Sequence, residues 1–261
     1  MNVYLYKSKI VHLPVNFKTD SMKRSIHYFA FLMIAIAMVM TSCNKGKKGG
    51  ASGYEIFGEK SGIVQYKPFD MMGVKMTQTL YFDEYGAKEM RETVIEGNMM
   101  GTAMKQHSID IRDGNISYHY ELENSAGEGD MAKKEAYKMV LPAEVMEQMN
   151  ISGFSDKIKT HLDYKEEGKE TVAGVKGVKY SIAPDSLNPT NRMIGVHYKN
   201  VPLKIVMGQL EMVAEKVEFD VKIPAEKFKV PEGYTIIDEK QMMQQELPGD
   251  VPEPQVDSLG K

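Results

Sequence analysis

Residues able to do chemistry are scattered along this chain and do not gather into a motif. Four histidines follow residue 42, namely His107, His119, His161 and His197, and each falls in a different predicted strand. His119 has the parity opposite to Tyr118 and Tyr120, which places it on a solvent side, whereas His107 shares the parity of Ile109. Neighbouring strands could bring such histidines together, but no ligand spacing singles out a metal site, and none is assigned. Carboxylates are plentiful and interleaved with lysine, as in Lys165-Glu-Glu-Gly-Lys-Glu170, the pattern of a solvated face. G-x-S-x-G, GxGxxG, the P-loop, HExxH and the EF-hand loop are all missing. Cys43 is the chain's one cysteine, which leaves no disulfide and no thiol catalysis beyond it. Nothing here predicts an enzyme or a cofactor.

The residues most open to a binding role are methionines. Met71-Met72-Gly73-Val74-Lys75-Met76 and Met99-Met100-Gly101-Thr102-Ala103-Met104 share the phrase MMGxxM. Methionine is pliable and apolar, so such pairs either fill gaps beneath their loops or form a soft lip on a cavity; a Cu(I) site from six thioethers is a more distant chemistry. With the strand face beside them, the candidate ligand-binding residues are Met71, Met72, Met76, Leu80, Phe82, Met99, Met100 and Met104.

The elements that must position these residues are strands. Lys75 to Phe82 alternates, with Met76, Gln78, Leu80 and Phe82 on one face, the period-2 sign of a half-buried strand. Gly62–Lys67, a more polar Ala87–Ile95, Ala103–Arg112 and Asn115–Leu122 complete a five-strand antiparallel meander, with Asp113-Gly114 as a tight hairpin signal. Every second loop of a meander lies at one end. The two MMGxxM phrases are therefore expected on one rim, opposite the end where the N-terminal segment enters. Further strands are predicted at Glu135–Leu141, Thr160–Glu166, Lys169–Val172, Gly177–Ile182, Met193–Lys199, Leu203–Met207, Leu210–Val221 and Gly233–Ile237. Short helices are predicted at Pro142–Met149 and Ala225–Phe228. The fold class is mainly β: a single curved antiparallel sheet or incomplete β-barrel with one or two short helices.

The N-terminus carries a different signal. Lys23 and Arg24 precede an apolar run from Ile26 to Met40, and Thr41-Ser42 stand directly before Cys43. The run is short for a spanning helix, which needs about 20 residues, and suits the core of a signal peptide. Residues 1–21 lie ahead of the basic pair and read as upstream of the true start at Met22. Residues 43–61, rich in Gly and Lys, read as a flexible tether, and 238–261, Pro-rich and acidic, as a disordered tail. The tether's Lys45, Lys47 and Lys48 keep it solvated. The domain proper is 62–237. The chain has 33 basic and 36 acidic residues; without the five basic and one acidic of residues 1–42, 28 and 35 remain, net −7. That balance argues against nucleic acid as a partner.

Residues 22–43 resemble a bacterial lipoprotein signal, which implies cleavage after Ser42, a lipid on Cys43 and attachment to a membrane through that lipid. Asn44 after the cysteine implies, by analogy with sorting signals, an outer-membrane location facing the periplasm. Leu80-Tyr-Phe-Asp-Glu-Tyr-Gly-Ala-Lys-Glu89, Glu170-Thr-Val-Ala-Gly-Val-Lys-Gly-Val-Lys-Tyr180 and Phe228-Lys-Val-Pro-Glu-Gly-Tyr234 resemble stretches of Bacteroidetes-type lipoproteins similar to the LolA and LolB lipoprotein-carrier superfamily. That resemblance covers Gly62 to Ile237. It implies an incomplete antiparallel barrel with short helices over its open side and an apolar cavity beneath, and it transfers no ligand residues. The function expected is a membrane-anchored lipoprotein that binds an apolar or lipid-like ligand in a β-sheet cavity. The alternative is a structural or interaction lipoprotein with no small ligand and a protein partner the sequence does not name.

Overall fold

A computed structural model describes residues 54–71, 73–99, 102–126, 133–149, 156–183 and 192–238. The first half is a run of hairpins: β1 (Gly62–Tyr66), β2 (Phe69–Met71), β3 (Val74–Asp83), β4 (Lys88–Met99), β5 (Thr102–Asp113), β6 (Ile116–Ala126) and β7 (Glu135–Val140). Two short helices, α1 (Ala143–Gln148) and α2 (Asp156–His161), lead to β8 (Lys165–Val172), β9 (Val175–Ile182), β10 (Met193–Tyr198), β11 (Val201–Met207) and β12 (Leu210–Phe219). A 3₁₀ turn at Ala225–Phe228 precedes β13 (Thr235–Asp238).

The strands form one sheet in the order β13-β7-β6-β5-β4-β3-β1-β12-β11-β10-β9-β8, with β2 beside β3. The expected mainly-β fold is present. The sheet is open, since β13 and β8 end it and do not pair with each other. Bulges at Gln65/Tyr66, His107/Ser108, Glu166/Gly168 and Val196/His197 deepen its twist. It bends toward the face that carries Val64, Leu80 and Phe82, here the first face. The bend brings the Tyr66 hydroxyl on β1 within 2.9 Å of the Pro202 carbonyl on β11, two strands away. On the second face, Met90, Ile109, Ile111, Tyr120 and Ala136 are covered by the returning segment 221–234 through Ile223 and Phe228, with Val221, Val230 and Tyr234 beside them.

Several local expectations are corrected. Thr160 and His161 end α2, and the strand there starts at Lys165. Glu167-Gly168 is a bulge inside β8, and the hairpin turn falls at Ala173-Gly174, both at positive φ (48° and 78°). The β5–β6 turn centres on Gly114-Asn115, because Asp113 pairs with Ile116. β13 is the exception to antiparallel pairing: it lies parallel to β7, delivered there by the crossing segment. Residues 54–61 are not a free tether. Ile56 and Phe57 are 4% and 3% exposed, apolar anchors in a Gly/Lys-rich stretch, and they turn these residues into a strap. Residues 1–53, which include Cys43, and the tail beyond Asp238 lie outside the described residues.

Candidate functional site

The β3–β6 register sorts the first face into rows. At the end where the strap enters stand Phe82, Glu89, Arg112 and Ser117; the next row is Leu80, Arg91, Asp110 and His119. Then come Gln78, Thr93, Ser108 and Glu121, followed by Met76, Ile95, Gln106 and Asn124, and finally Val74, Gly97, Met104 and Ala126 at the far rim. The β3 column is apolar apart from Gln78, which donates to Thr93 at 3.1 Å, while β4, β5 and β6 present a largely polar ladder.

At the strap end of the ladder is a buried ion triad. Glu89 accepts from Arg91 Nε at 2.6 Å and from Arg112 at 2.8 Å, and all three side chains are largely covered. The Arg112 guanidinium also donates to the Gly86 carbonyl at 2.6 Å, tying the triad to the β3–β4 turn. Burial by itself would raise the Glu89 carboxyl; the two guanidinium charges outweigh it and hold the group below the usual carboxylate range. Burial likewise disfavours protonated His119, but the Asp110 carboxylate 2.8 Å away lifts its pKa above the ordinary histidine value. Glu121 accepts from Gln106 and Asn124, each at 2.8 Å. These groups are matched to one another across three strands, so a one-residue slip would leave buried charges uncompensated. His119 thus lies on the side expected but not in free solvent: it is half-buried in the ladder.

The described parts of the methionine phrases come together at the far rim. Val74 pairs with Gly97 and Gly97 with Met104, and the Asn98 amide donates to Gly73 O at 3.1 Å. Gly97 permits that approach, since a Cβ there would lie 2.8 Å from Val74 Cα. β2 ends at Met71 and β4 at Met99, so the described residues of both phrases lie at one end of the sheet. Gly62 pairs with Phe82 at the other end, where the strap enters. Of the candidate residues, Leu80 and Phe82 are 1% and 0% exposed and belong to the core, Met76 is buried and Met104 half-buried. Met72 and Met100, and the side chains of Met71 and Met99, lie outside the described residues.

The four histidines do not converge. His107 meets Glu92 at 2.9 Å on the second face, His161 ends α2 and His197 is buried in β10. Among the described residues no group of three His, Cys, Asp or Glu side chains could hold a metal ion. A cleft of about 530 Å³ opens between residues 67–70 and the end of β8. Lys204, 3.0 Å from Glu170, lies in its wall, which makes it polar.

Sequence pattern alone does not reveal the ladder or the strap. Alternation assigns charged residues to solvent, and only the opposite signs at Glu89, Arg91 and Arg112 hint at a buried set. The strap's signal was the apolar pair Ile56-Phe57.

The fold and this arrangement define an open, curved, mainly antiparallel sheet whose bent face is part apolar and part ion-paired. No protein-family model and no curated protein matches the sequence. Among solved structures, the chain is similar to the crystal structure of MucB in complex with MucA(peri), at 14% identity and a TM-score of 0.34. It is similar as well to the Pseudomonas aeruginosa MucA/MucB complex, at 14% identity and a TM-score of 0.35. Each overlay covers 66% of this chain and 56% of the other, so the chain spans little more than half the length of those proteins.

Proposed function

We propose that this chain is a lipid-anchored binding domain of the bacterial envelope. In this reading Cys43 carries the lipid, residues 44–53 form the remaining tether, and the domain faces the periplasm from the outer membrane. The domain is of the LolA/LolB type and takes an apolar or lipid-like ligand at the methionine rim. The observation that supports the reading is the register that sets Val74 and Met104, from the described parts of the two MMGxxM phrases, on either side of Gly97 at the end of the sheet away from the strap. A soft apolar lip at the free end of an anchored domain suits capture of a chain-like ligand. The polar cleft of 530 Å³ does not suit one.

The test uses the chain carrying Cys43→Ser, isolated from cells, and the same chain with Met71, Met72, Met99 and Met100 changed to Gln. Native mass spectrometry with co-purified lipid, and apolar-dye fluorescence that falls in the Gln variant at little cost in thermal stability, support the reading. Strong destabilisation with dye binding unchanged per folded molecule makes the methionines packing residues and removes the lip. The anchor is tested separately: palmitate labelling and membrane fractionation should both be lost in Cys43→Ser.

One observation favours the alternative of an interaction lipoprotein without a small ligand. The first face between Leu80 and His119 is walled by ion pairs instead of alkyl groups, which suits a filled, register-locked interior. Protein that emerges bare and binds no apolar dye supports that alternative.

A further inference from the structure

The strap joins two parts of the sheet that are far apart in the strand order. Ile56 and Phe57 donate their amides to the Tyr85 carbonyl at 2.8 and 2.7 Å, and Tyr85 in turn donates to Lys60 O at 2.9 Å. That side belongs to the β3–β4 turn. On the other side, the Gly58 amide donates to Lys199 O at 2.8 Å, and Asn200 Nδ2 donates to Ile56 O at 3.0 Å. Those residues form the β10–β11 turn, with φ of 45° at Lys199 and 73° at Asn200. Phe57 lies edge-on against Phe82, 4.6 Å between ring centres, and fills the space a side chain at residue 86 would need.

Behind this turn stands His197, 5% exposed. Its Nδ1 accepts from the Asn200 amide at 3.3 Å, which leaves the proton on Nε2. Nε2 is buried without a hydrogen-bond partner among the described residues. A buried donor left unpaired is costly and calls for an explanation. The imidazole's Nδ1 lone pair is the acceptor for the residue whose side chain holds Ile56. Protonation would remove that acceptor and place a charge in an apolar site.

We propose that His197 is an acid-sensitive latch for the strap. Neutral, it fixes Asn200 in the left-handed turn and Asn200 fixes Ile56; protonated, it releases the turn and the strap while the β4–β5 part of the sheet stays folded. Among the described residues no neighbouring charge opposes this. The strap brings Glu55 and Glu59, the turn Lys199 and β9 Tyr180. Lys199 and Glu59 pair with each other at 2.7 Å, and Tyr180 is a neutral phenol whose pKa burial raises further. Burial alone depresses the His197 pKa to about 4. The strap is also the link between the domain and everything before residue 54. Its release adds residues 54–61 to the leading segment, about 25 Å of reach at full extension.

Hydrogen exchange on the full chain tests the latch. If the opened state restores an ordinary histidine near 6.5, the open population rises about twentyfold between pH 7 and pH 5. The Ile56, Phe57 and Gly58 amides should therefore lose about twentyfold in protection, after correction for intrinsic rates, while Met90 and Ile109 keep theirs. His197→Asn keeps an acceptor near the Nδ1 position and cannot titrate, so its strap protection should be the same at both pH values. Asn200→Gly keeps the turn conformation and removes the bond to Ile56, and should expose the strap amides at both. The latch is overturned if strap and core amides lose protection together, if His197→Asn retains the acid response, or if Asn200→Gly leaves the strap protected. Should His197→Asn fail to fold, the wild-type pH profile and Asn200→Gly decide the matter between them.

Discussion

Replacing Glu89 by Gln should reveal whether the ladder acts as a matched set. The change keeps the shape of the side chain and removes its charge. Arg91 then loses the partner 2.6 Å from its Nε, and Arg112 loses the one 2.8 Å from its guanidinium. Arg112 is partly compensated, because it keeps bonds to the Gly86 and Gly114 carbonyls at 2.6 and 3.3 Å. Breaking a buried pair from one side costs about 3–5 kcal/mol, and the residual bonds place this case near the lower end. Urea unfolding with a slope of about 2–3 kcal/mol/M would show a midpoint lowered by roughly 1–1.5 M. The combined variant Glu89→Leu, Arg91→Met, Arg112→Met removes every charge of the triad and should recover most of the loss, to within about 1 kcal/mol of wild type. The acid limb gives an independent check. A carboxyl whose folded pKa is lowered contributes stability that is complete above its unfolded pKa and lost as pH falls through the folded value. Wild type should therefore lose stability below pH 4.5 more steeply than Glu89→Gln. A single variant within about 0.5 kcal/mol of wild type, or a triple variant as unstable as the single, would refute the matched-set account.

Three further outcomes are expected. Gly195→Ala would drive its new methyl into the Tyr180 ring, which has Tyr164 stacked at 5.8 Å and His197 at 5.5 Å and so has little room to move. A thermal or urea melt should record a loss of about 2–3 kcal/mol, and Tyr180→Leu in the same chain should cost less than additively. Leu80→Ala, at a site 1% exposed, should cost about 2–5 kcal/mol in urea unfolding, which marks it as core. The raised pKa of His119 contributes stability that is complete below the unfolded value near 6.5 and fades as pH rises through the folded value; a melting series from pH 6 to 9 should show that decline in wild type and not in His119→Gln.

Much of the architecture was legible because it rests on short-range pattern. The alternation of Met76, Leu80 and Phe82 places three buried residues on one face of β3. Pro142 starts a helix because its fixed φ suits the first turn. The meander's parity brings the described residues of the methionine phrases, Val74 and Met104 among them, to one rim. What the pattern could not show depends on contacts remote in sequence. Glu89 and Arg112 are buried because they meet across β4 and β5, with Arg91 joining Glu89 from two residues along the same strand, and hydropathy scores all three as surface. Ile56-Phe57 is too brief a pair to stand out from glycine and lysine until the 84–86 and 199–200 turns supply its partners. Thr160-His161 alternates like a strand, but it closes a helical turn. β13 lies parallel to β7 because the crossing segment 221–234 covers the second face and fixes the direction of return.

The seam between β1 and β12 carries a consequence for the order of folding. β3 to β7 are joined by hairpins, and so are β8 to β12, so most pairings inside either group are local and can form early. β1 attaches to the first group through β3, but its other edge waits for β12, with Gly62 opposite Phe219. Until the chain has emerged as far as residue 219, β1 and, once it has formed, β11 present open edges, each able to add a strand from another molecule. Closing the loop between β1 and β12 is the slow, entropically costly step, and it completes the sheet at its middle instead of at its ends. Truncation before β12 would therefore leave two half-sheets prone to pair with other copies, whereas loss of β13 would shorten one edge.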